Sequence, residues 1–477
     1  RSFKLHCCSK LRDFVFKYED LLGKEIWDVL DEEIQQDPGA FLSAINSYAS
    51  RKGNLPIYLL IDEYDNFTNT ILSTYGTEYY QKATHGEGFV RGFFNVIKAA
   101  TTGTGSALQR MFITGVSPVT MDDVTSGFNI GTNITTDPWF NDLVGFSEAE
   151  LREMLTYYKE QGVLMQTVDE TIVMMKPNYD NYCFSEEKLA QCMFNSDMAL
   201  YFMKSFVLHH VKPKEIVDPN IRTDFNKLAY LIRLDHGLGE NFSVIKEIAE
   251  QGEITTDIAT HFSALEMTDV RNFKSLLFYF GLLSIKGVDM VGRPILHVPN
   301  LVVREQLFSF LIRGYIKHDI FKIDMNRMTM LFENMAFRGD WKPLFNFIAE
   351  AIREQSRIRE YIEGEAHIKG FLLAYLGMYR YYQLYPEYEL NKGFADFLFK
   401  PSPSVPVMPP LTYLLEVKYA KAGTSEKEIR ALADEAREQL LRYSQDELVA
   451  EAKAKGGLKL ITIVWCSWEL VLLEEVL

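Results

Sequence analysis

Ten residues near the carboxyl end of the chain, PSPSVPVMPP at 401–410, contain five prolines. Proline fixes φ and lacks a backbone N–H donor, so this stretch forms neither a helix nor a central strand. It is flanked by GFADFLF at 393–399 and LTYLLEVKYA at 411–420, two apolar runs that are typical of strands. We therefore predict a surface excursion that joins two strands.

The two predicted strands carry polar residues in the order Asp396, Glu416 and Lys418. Residues i and i+2 of a strand share a face, so Glu416 and Lys418 point the same way while Val417 points into the core. Asp396, on the preceding hairpin strand, can meet them. Two carboxylates make a hard-oxygen site for Mg²⁺ or Mn²⁺, and a lysine beside it supplies positive charge to a phosphoryl transition state.

Two neighbouring helices add further polar groups. Glu363 and Glu365 lie on the helix predicted before the hairpin, where another carboxylate would complete a metal site. Gln439 and Tyr443, at i, i+4 spacing on the following charged helix, share one face. The alternative for the lysine and its neighbouring acid is an ordinary surface ion pair on an edge strand. The ordered set of acids, lysine, glutamine and tyrosine favours a nuclease-like metal site.

Apolar runs alternate with helical patterns in the first third of the chain. The runs NLPIYLLIDEYDN (54–66) and RMFITGVSP (110–118) are typical of buried parallel strands. The segments GEGFVRGFFNVIKAATTG (86–103) and FSEAELREMLTYYKEQG (146–162) are typical of helices, and the second begins with a capping-box pattern. The order strand, helix, strand, helix predicts an α/β layer.

Polar side chains follow these two strands at their carboxyl ends. Asp62 and Glu63 follow the first strand and Thr114 ends the second. An apolar strand that ends in Asp-Glu matches the second nucleotide motif of P-loop ATPases, in which the acids hold Mg²⁺ and polarise water. Many strands simply end in acids, so this motif alone leaves both interpretations open. No G-x-x-x-x-G-K-[ST] segment occurs in the sequence, and ATP is expected as a ligand only if that loop precedes Arg1.

Charge and composition exclude several classes of protein. Lys and Arg number 50 against 65 Asp and Glu, a net charge of −15, which is unlike a protein that coats nucleic acid. Five cysteines without a C-x-x-C pair indicate neither a disulfide framework nor a structural zinc site, and they fit a reducing cytoplasm. No run approaches 18 apolar residues, so we expect no membrane span. Any contact with nucleic acid is therefore expected to be local.

The length of 477 residues exceeds one compact core, and three domains are predicted. Residues 1–165 are expected to form a P-loop-type domain with a parallel sheet. Residues 166–350 are helix-rich, and within them 273–308 has the order helix, strand, turn, strand, helix of a winged-helix-like unit. Residues 351–477 are expected to form a compact α/β domain.

The C-terminal residues resemble the PD-(D/E)XK nuclease superfamily, and in particular its RecB-like branch, which carries Gln-x-x-x-Tyr after the core hairpin. The whole chain resembles a bacterial family, expanded in Bacteroidetes, in which an AAA-ATPase-like domain precedes a PD-(D/E)XK domain. The segments that carry this resemblance are LLIDEYDN (59–66), FITGVSP (112–118), DPWFNDLVGFSEAEL (137–151), FYFGLLSIKG (278–287), HVPNLVVREQL (297–307), EGEAHIKGFLLAYL (363–376), GFADFLF (393–399) and LLEVKYA (414–420).

The resemblance implies a restriction-endonuclease-like α/β fold for the C-terminal domain and an AAA-like fold for the N-terminal one. It implies that the metal ligands are Asp396, Glu416 and Glu363, with Glu365 the less favoured helix acid. The implied catalytic residues are Asp396, Glu416, Lys418, Gln439 and Tyr443. The implied nucleotide-binding residues are Asp62, Glu63 and Thr114.

One position departs from the pattern of the family. Its hairpin usually carries Gly-Arg-x-Asp, whereas this chain has Gly393-Phe394-Ala395-Asp396. An apolar Phe394 cannot make the phosphate contact of an arginine.

Residues 418–459 also contain nine Lys or Arg against eight Asp or Glu, a balance that is typical of a solvated helix and not of a basic DNA platform.

The main functional hypothesis is a cytoplasmic, Mg²⁺- or Mn²⁺-dependent DNA nuclease coupled to an ATPase-like regulatory domain. Its expected partners are nucleic acid and ATP, a homo-oligomer is compatible with the sequence, and ATP hydrolysis is not expected without the P-loop. The alternative is a nucleotide-dependent switch or binding protein whose nuclease fold is inactive. A third hypothesis is a scaffold of a mobile-element or defence system in which both sites have decayed.

Overall fold

The computed structural model describes most of the chain. The described residues are 2–53, 55–102, 105–124, 131–209, 213, 240–317, 321–355, 362, 364–379, 381–391, 393–402, 405, 407–455 and 457–476. None of the helices within these ranges has the length and the apolar composition needed to cross a bilayer.

Helices account for much of the described structure. In chain order they are α1 (Ser2–Lys17), α2 (Glu19–Leu22), α3 (Ile26–Val29), α4 (Pro38–Arg51), α5 (Asn66–Tyr75), α6 (Thr77–Thr84), α7 (Phe89–Thr102), α8 (Val119–Val124), α9 (Glu148–Glu160), α10 (Val168–Tyr179), α11 (Ser196–His209), α12 (Glu240–Gln251), α13 (Val270–Tyr279), α14 (Leu301–Lys317), α15 (Met325–Arg338), α16 (Lys342–Glu354), α17 (Glu365–Leu376), α18 (Glu426–Tyr443) and α19 (Glu447–Ala454).

The described strands form three separate sheets. In chain order they are β1 (Ile57–Ile61), β2 (Leu108–Ile113), β3 (Glu253–Thr255), β4 (Ser284–Val288), β5 (Pro294–His297), β6 (Tyr382–Leu390), β7 (Gly393–Pro401), β8 (Thr412–Ala420), β9 (Leu458–Cys466) and β10 (Glu469–Glu475). β1 pairs with β2, β3 to β5 form a second sheet in the order β3-β5-β4, and β6 to β10 form a third.

The chain folds as two compact units. The N-terminal unit consists of Arg1–Thr135 and Asp257–Phe280, and the C-terminal unit of Thr136–Thr256 and Gly281–Leu477. The C-terminal unit therefore contains most of the predicted helical middle together with the predicted α/β domain. The predicted order helix, strand, turn, strand, helix over 273–308 is present as α13, β4, β5 and α14.

The sheet of the N-terminal unit has two described strands, β1 and β2, which are parallel as predicted. Full burial of these strands, however, was a wrong prediction. Their inner face, which includes Ile57, packs on a helical core, but Tyr58 and Leu60 on the outer face are 63% and 76% exposed. The described helices cover only one face of this two-stranded sheet. The apolar residues on its other face are therefore exposed, although an uninterrupted apolar run is typical of a strand that is buried on both faces.

The sheet of the C-terminal unit has the order β10-β9-β8-β7-β6. Neighbouring strands are antiparallel except for β8 and β9, which are parallel and are connected through α18. Such a parallel pair requires a crossover, and the helix supplies it. β8 lies at the centre of the sheet, α18 packs against β8 and β9, and α17 contacts β8 and β6. This mixed sheet is consistent with the predicted PD-(D/E)XK type of fold.

The remaining strands, β3, β4 and β5, form a small antiparallel sheet in the C-terminal unit. His297 ends β5 and lies opposite Glu253 of β3 and Ser284 of β4. The pKa of His297 is lowered from 6.5 to about 4, mainly by burial; Lys286 and Arg304 also lower it, and Glu253 opposes them. The folded chain therefore holds the imidazole in its neutral form at neutral pH.

Acidification is expected to destabilise the C-terminal unit through His297. Unfolding takes up a proton between pH 6.5 and about pH 4, so the stability present above pH 6.5 is lost as the pH falls through this range. Between pH 7.5 and pH 5 the expected loss is about 2 kcal/mol. Urea unfolding of His297→Gln should show a shallower pH dependence than the wild type, whereas exposed His261→Gln should not. Equal slopes for all three proteins would contradict the assignment.

Candidate active site

β7 and β8 separate where their acidic residues lie. The backbone ladder joins Phe397, Leu398 and Phe399 to Leu415, Leu414 and Tyr413. Beyond Phe397, side-chain carboxylates replace backbone carbonyls as the hydrogen-bond acceptors between the two strands. The N–H of Val417 donates to Asp396 Oδ2 at 2.6 Å, and the N–H of Asp396 donates to Glu416 Oε2 at 3.4 Å. Both acids are buried, at 5% and 3% exposure. The predicted meeting of Asp396 and Glu416 is therefore present.

Lys418 shares the face of Glu416, as the strand periodicity predicts. Its Nζ lies 3.5 Å from Glu416 Oε1 and 3.3 Å from Glu435 Oε1 of α18. Val417 between them is fully buried. β8 is a central strand, so the alternative of a surface ion pair on an edge strand is wrong. The two glutamates fix the ammonium beside the buried carboxylates.

A second lysine, which the sequence analysis did not identify, also reaches the acidic pair. Lys369 of α17 is in ion-pair contact with Asp396, and its Nζ lies 2.9 Å from Glu365 and 3.1 Å from Glu387. The register of β6 and β7 places Glu387 opposite Asp396. The i, i+4 spacing of Glu365 and Lys369 was the available signal. Lys369 thus connects three carboxylates.

Burial and like charge act together on the acidic pair. The pKa of Glu416 is raised to about 8, mainly by burial and also by the charge of Asp396, while Lys418 opposes the rise. Burial also raises the pKa of Asp396, against the opposing charge of Lys369. Burial lowers the pKa of Lys369, but its acidic partners outweigh burial and hold the pKa above the usual range. Because burial and mutual repulsion disfavour two negative charges here, a cation close to Asp396 and Glu416 would stabilise their ionised forms.

Gln439 and Tyr443 lie on α18 with Glu435 one turn before them, so this helix face is turned towards the sheet. Among the described residues the buried Gln439 Oε1 has no hydrogen-bond partner. The Tyr443 ring packs under Gly393 at the start of β7, where a Cβ would lie 2.7 Å from the phenol oxygen. Gly393 is therefore needed for this close approach. Within the described part of the chain, neither side chain forms a hydrogen bond with Asp396 or Glu416.

The predicted nucleotide residues converge in the N-terminal unit. The Thr114 hydroxyl donates to Asp62 Oδ1, which also accepts the N–H of Glu63 at 3.0 Å. Glu63 has a left-handed φ of 50°, and its carboxylate accepts from Asn66 Nδ2 at 2.9 Å. Both carboxylates are exposed. They lie at the carboxyl ends of parallel strands, where ligands of open α/β sheets bind.

Asp65, which follows in the same motif, was missed by the sequence analysis. It is fully buried, and its carboxylate accepts from the N–H groups of Val116 and Ser117 at 3.1 and 3.2 Å and from Asn69 Nδ2 at 2.9 Å. Gly115 leaves room for the Tyr64 ring, since a Cβ there would lie 2.2 Å from it. Asp65 therefore holds the segment after β2 in place.

Replacement of Asp65 by Asn is expected to loosen the segment after β2 by about 2 kcal/mol, because an amide group cannot accept on both sides. Hydrogen exchange of peptides from 108–121 should become faster in this variant. The exposed Asp62→Asn in the same motif should change exchange by less than about 0.5 kcal/mol. Equal protection in Asp65→Asn and the wild type would contradict the role of the buried carboxylate.

Family models match both ends of the chain. Residues 363–475 match the model of the PD-(D/E)XK nuclease superfamily. Residues 1–125 match the model described as a predicted AAA-ATPase. No curated protein and no solved structure matches the chain. The predicted pairing of an ATPase-like domain with a C-terminal nuclease-superfamily domain is therefore confirmed.

The nuclease-superfamily region contains a donor set that fits a divalent cation. Asp396 and Glu416 offer hard oxygen ligands, and their shared burial leaves negative charge to be balanced. Glu363, the predicted helix acid, lies outside the described residues. Within the described part of the chain no three His, Cys, Asp or Glu side chains are grouped to hold a metal. Phe394, where the family usually has Arg, is exposed.

Proposed function

We propose that the C-terminal region is a metal-dependent nuclease that hydrolyses phosphodiester bonds in nucleic acid, with DNA as the expected substrate. The observation that carries the proposal is the fork between β7 and β8, in which two buried carboxylates and a lysine converge. The match of residues 363–475 to a nuclease superfamily supports this function. The net charge of −15 and the balanced charge of residues 418–459 agree with a local contact with nucleic acid and not with an extended basic surface.

In this proposal Asp396 and Glu416 hold a Mg²⁺ or Mn²⁺ ion, and Glu363 is the further ligand. The ion supplies Lewis acidity to water and to the scissile phosphate. Lys418, held by Glu416 and Glu435, directs its ammonium N–H groups towards charge that develops on phosphate oxygens. Gln439 and Tyr443 lie on the face of α18 that is turned towards the sheet, and they position this face and the start of β7 next to the bound substrate.

We assign a regulatory role to the N-terminal unit. Asp62, Glu63 and Thr114 would form the part of a nucleotide site that holds Mg²⁺ and senses the γ-phosphate. Support comes from the contact of Thr114 with Asp62 and from the match of residues 1–125 to a predicted AAA-ATPase. Nucleotide binding at this end would then modify cleavage at the other.

The nuclease proposal is tested with the full chain and three substrates: plasmid DNA, single-stranded DNA and RNA. We expect cleavage with Mg²⁺ or Mn²⁺, none with a chelator, and an ATP-dependent change in rate. Glu416→Gln keeps the side-chain shape but removes a charged ligand, and it should abolish cleavage. The exposed Glu451→Gln should leave the rate unchanged. Equal cleavage by Glu416→Gln and the wild type would reject the assigned site.

The ion pair of Lys369 with Asp396 favours a second candidate function. A cation already balances one of the two buried acids, so the fold can hold together without metal. On this alternative the region binds nucleic acid or a partner, and nucleotide binding at Asp62 switches it. The alternative predicts that the wild-type chain binds DNA but does not cleave it in the presence of Mg²⁺ or Mn²⁺. Cleavage that is lost in Glu416→Gln would reject it.

A further inference from the structure

Two cysteines of the C-terminal unit face each other across a short antiparallel pairing. Tyr182 and Met193 form an isolated antiparallel bridge in which they exchange both backbone bonds, at 3.1 and 2.7 Å. Cys183 and Cys192 occupy the next opposed positions towards the turn, which in an antiparallel pairing are the non-hydrogen-bonded ones. In such pairs the Cα atoms lie about 4.5 Å apart, which is within the range that a disulfide spans.

Hydrogen bonds hold this pairing in register. Asn141, which is buried, accepts the N–H groups of Phe184 and Ser185 at 2.9 and 3.1 Å and donates to the Gln191 carbonyl at 2.9 Å. The N–H of Cys183 donates to Ser284 Oγ at 2.7 Å. One asparagine thus ties both sides of the turn together. The cysteines therefore oppose each other in a constrained segment and not in a loose loop.

The two thiols differ in their access to solvent and in their pKa values. Cys183 is fully buried, whereas Cys192 is partly exposed. The thiols are hydrogen-bonded to each other, and this bond lowers the pKa of Cys183 to about 7 and raises that of Cys192. Cys183 is accordingly the thiol that ionises near neutral pH, and a small oxidant approaches it from the side of the partly exposed Cys192.

We propose that Cys183 and Cys192 are a redox modification site, at which a peroxide converts the dithiol into a reversible intrachain disulfide. The Cys183 thiolate attacks one peroxide oxygen, so an S–O bond forms, the O–O bond breaks and the leaving hydroxide takes the proton of Cys192. The Cys192 thiolate then attacks the Cys183 sulfur, the S–S bond forms, and the second hydroxide leaves and is protonated by solvent. Two electrons pass from the thiols to the peroxide, and two waters form from the neutral dithiol.

This site is independent of the nuclease proposal. Neither cysteine lies within the two segments that match family models, residues 1–125 and 363–475. Lys188 lies between the cysteines, so trypsin separates them onto two peptides unless a disulfide joins them. The chain therefore contains its own cleavage point for a direct test.

The test oxidises the folded full chain with hydrogen peroxide, alkylates the remaining thiols and digests with trypsin without reductant. We expect the free thiols to fall from five to three, since two are consumed, with one joined pair of peptides that carries Cys183 and Cys192. A dithiol reductant should restore all five. Cys192→Ser should lose the joined pair, whereas Cys466→Ser and the double variant of the adjacent Cys7 and Cys8 should retain it.

Three results would overturn the proposal. The first is five free thiols after treatment of the folded chain. The second is a joined pair that involves Cys7, Cys8 or Cys466, or a link between two chains. The third is irreversible oxidation of either cysteine without a disulfide. Because the wild-type chain alone gives each of these readouts, the test stays decisive even if a serine variant folds poorly.

Discussion

Replacement of Lys418 by Ala is expected to lower kcat for nucleic-acid hydrolysis by a factor of about 10³, with little change in KM. The lysine contacts Glu416 and Glu435 and lies beside the buried carboxylates, where negative charge develops only as the phosphate reacts. An interaction made mainly in the transition state affects kcat and not ground-state binding. Steady-state cleavage of a short labelled duplex measures both parameters.

Two variants make this result specific to the position of Lys418. Lys421 is exposed three residues later in the same segment, so Lys421→Ala removes the same charge without touching the fork and should keep the wild-type rate. Lys418→Arg retains the charge but changes its geometry and should recover only part of the activity. Wild-type kcat in Lys418→Ala would show that this lysine does not act on the substrate.

Replacement of Lys369 by Met is expected to destabilise the metal-free chain by about 3 kcal/mol. The lysine is 18% exposed and joins Asp396, Glu365 and Glu387, and its removal leaves a buried carboxylate without its cation. Bound Mg²⁺ would supply part of the missing charge, so the variant should be stabilised by Mg²⁺ more than the wild type is. Urea unfolding in chelator and in Mg²⁺ measures both effects.

A surface lysine provides the matched comparison for Lys369. Lys455 pairs with Glu451 at i, i+4 spacing, and both side chains are largely exposed, at 72% and 82%. Lys455→Met should therefore cost less than about 0.5 kcal/mol and should not respond to Mg²⁺. If the two lysine variants lose the same stability in chelator, the ion pair with Asp396 does not support the fold.

The centre of the candidate site could be predicted because strand periodicity is strict. An i, i+2 spacing fixes which side chains share a face, so Glu416 and Lys418 followed from the sequence together with the inward Val417. Lys369 could not be assigned in the same way. Its spacing from Glu365 predicts a helix pair, but its contact with Asp396 depends on how α17 packs against the sheet. Tertiary packing of this kind leaves no local pattern.

The N-terminal strands show a different limit of sequence reasoning. The apolar run around Tyr58 and Leu60 predicts burial on both faces, yet these side chains are exposed among the described residues. An apolar run shows that a strand has side chains suited to burial, but it does not show which helices or strands pack on them. Asp65 was missed because an acid after a strand looks the same whether it faces a ligand or accepts backbone N–H groups.

The position of Mn²⁺ in crystals of the full chain, located by anomalous scattering, tests the nuclease proposal most directly. We predict a peak between the carboxylates of Asp396 and Glu416 in the wild type and none in the Asp396→Asn, Glu416→Gln double variant. A wild-type crystal without that peak, in which Lys369 alone balances Asp396, would contradict the proposal.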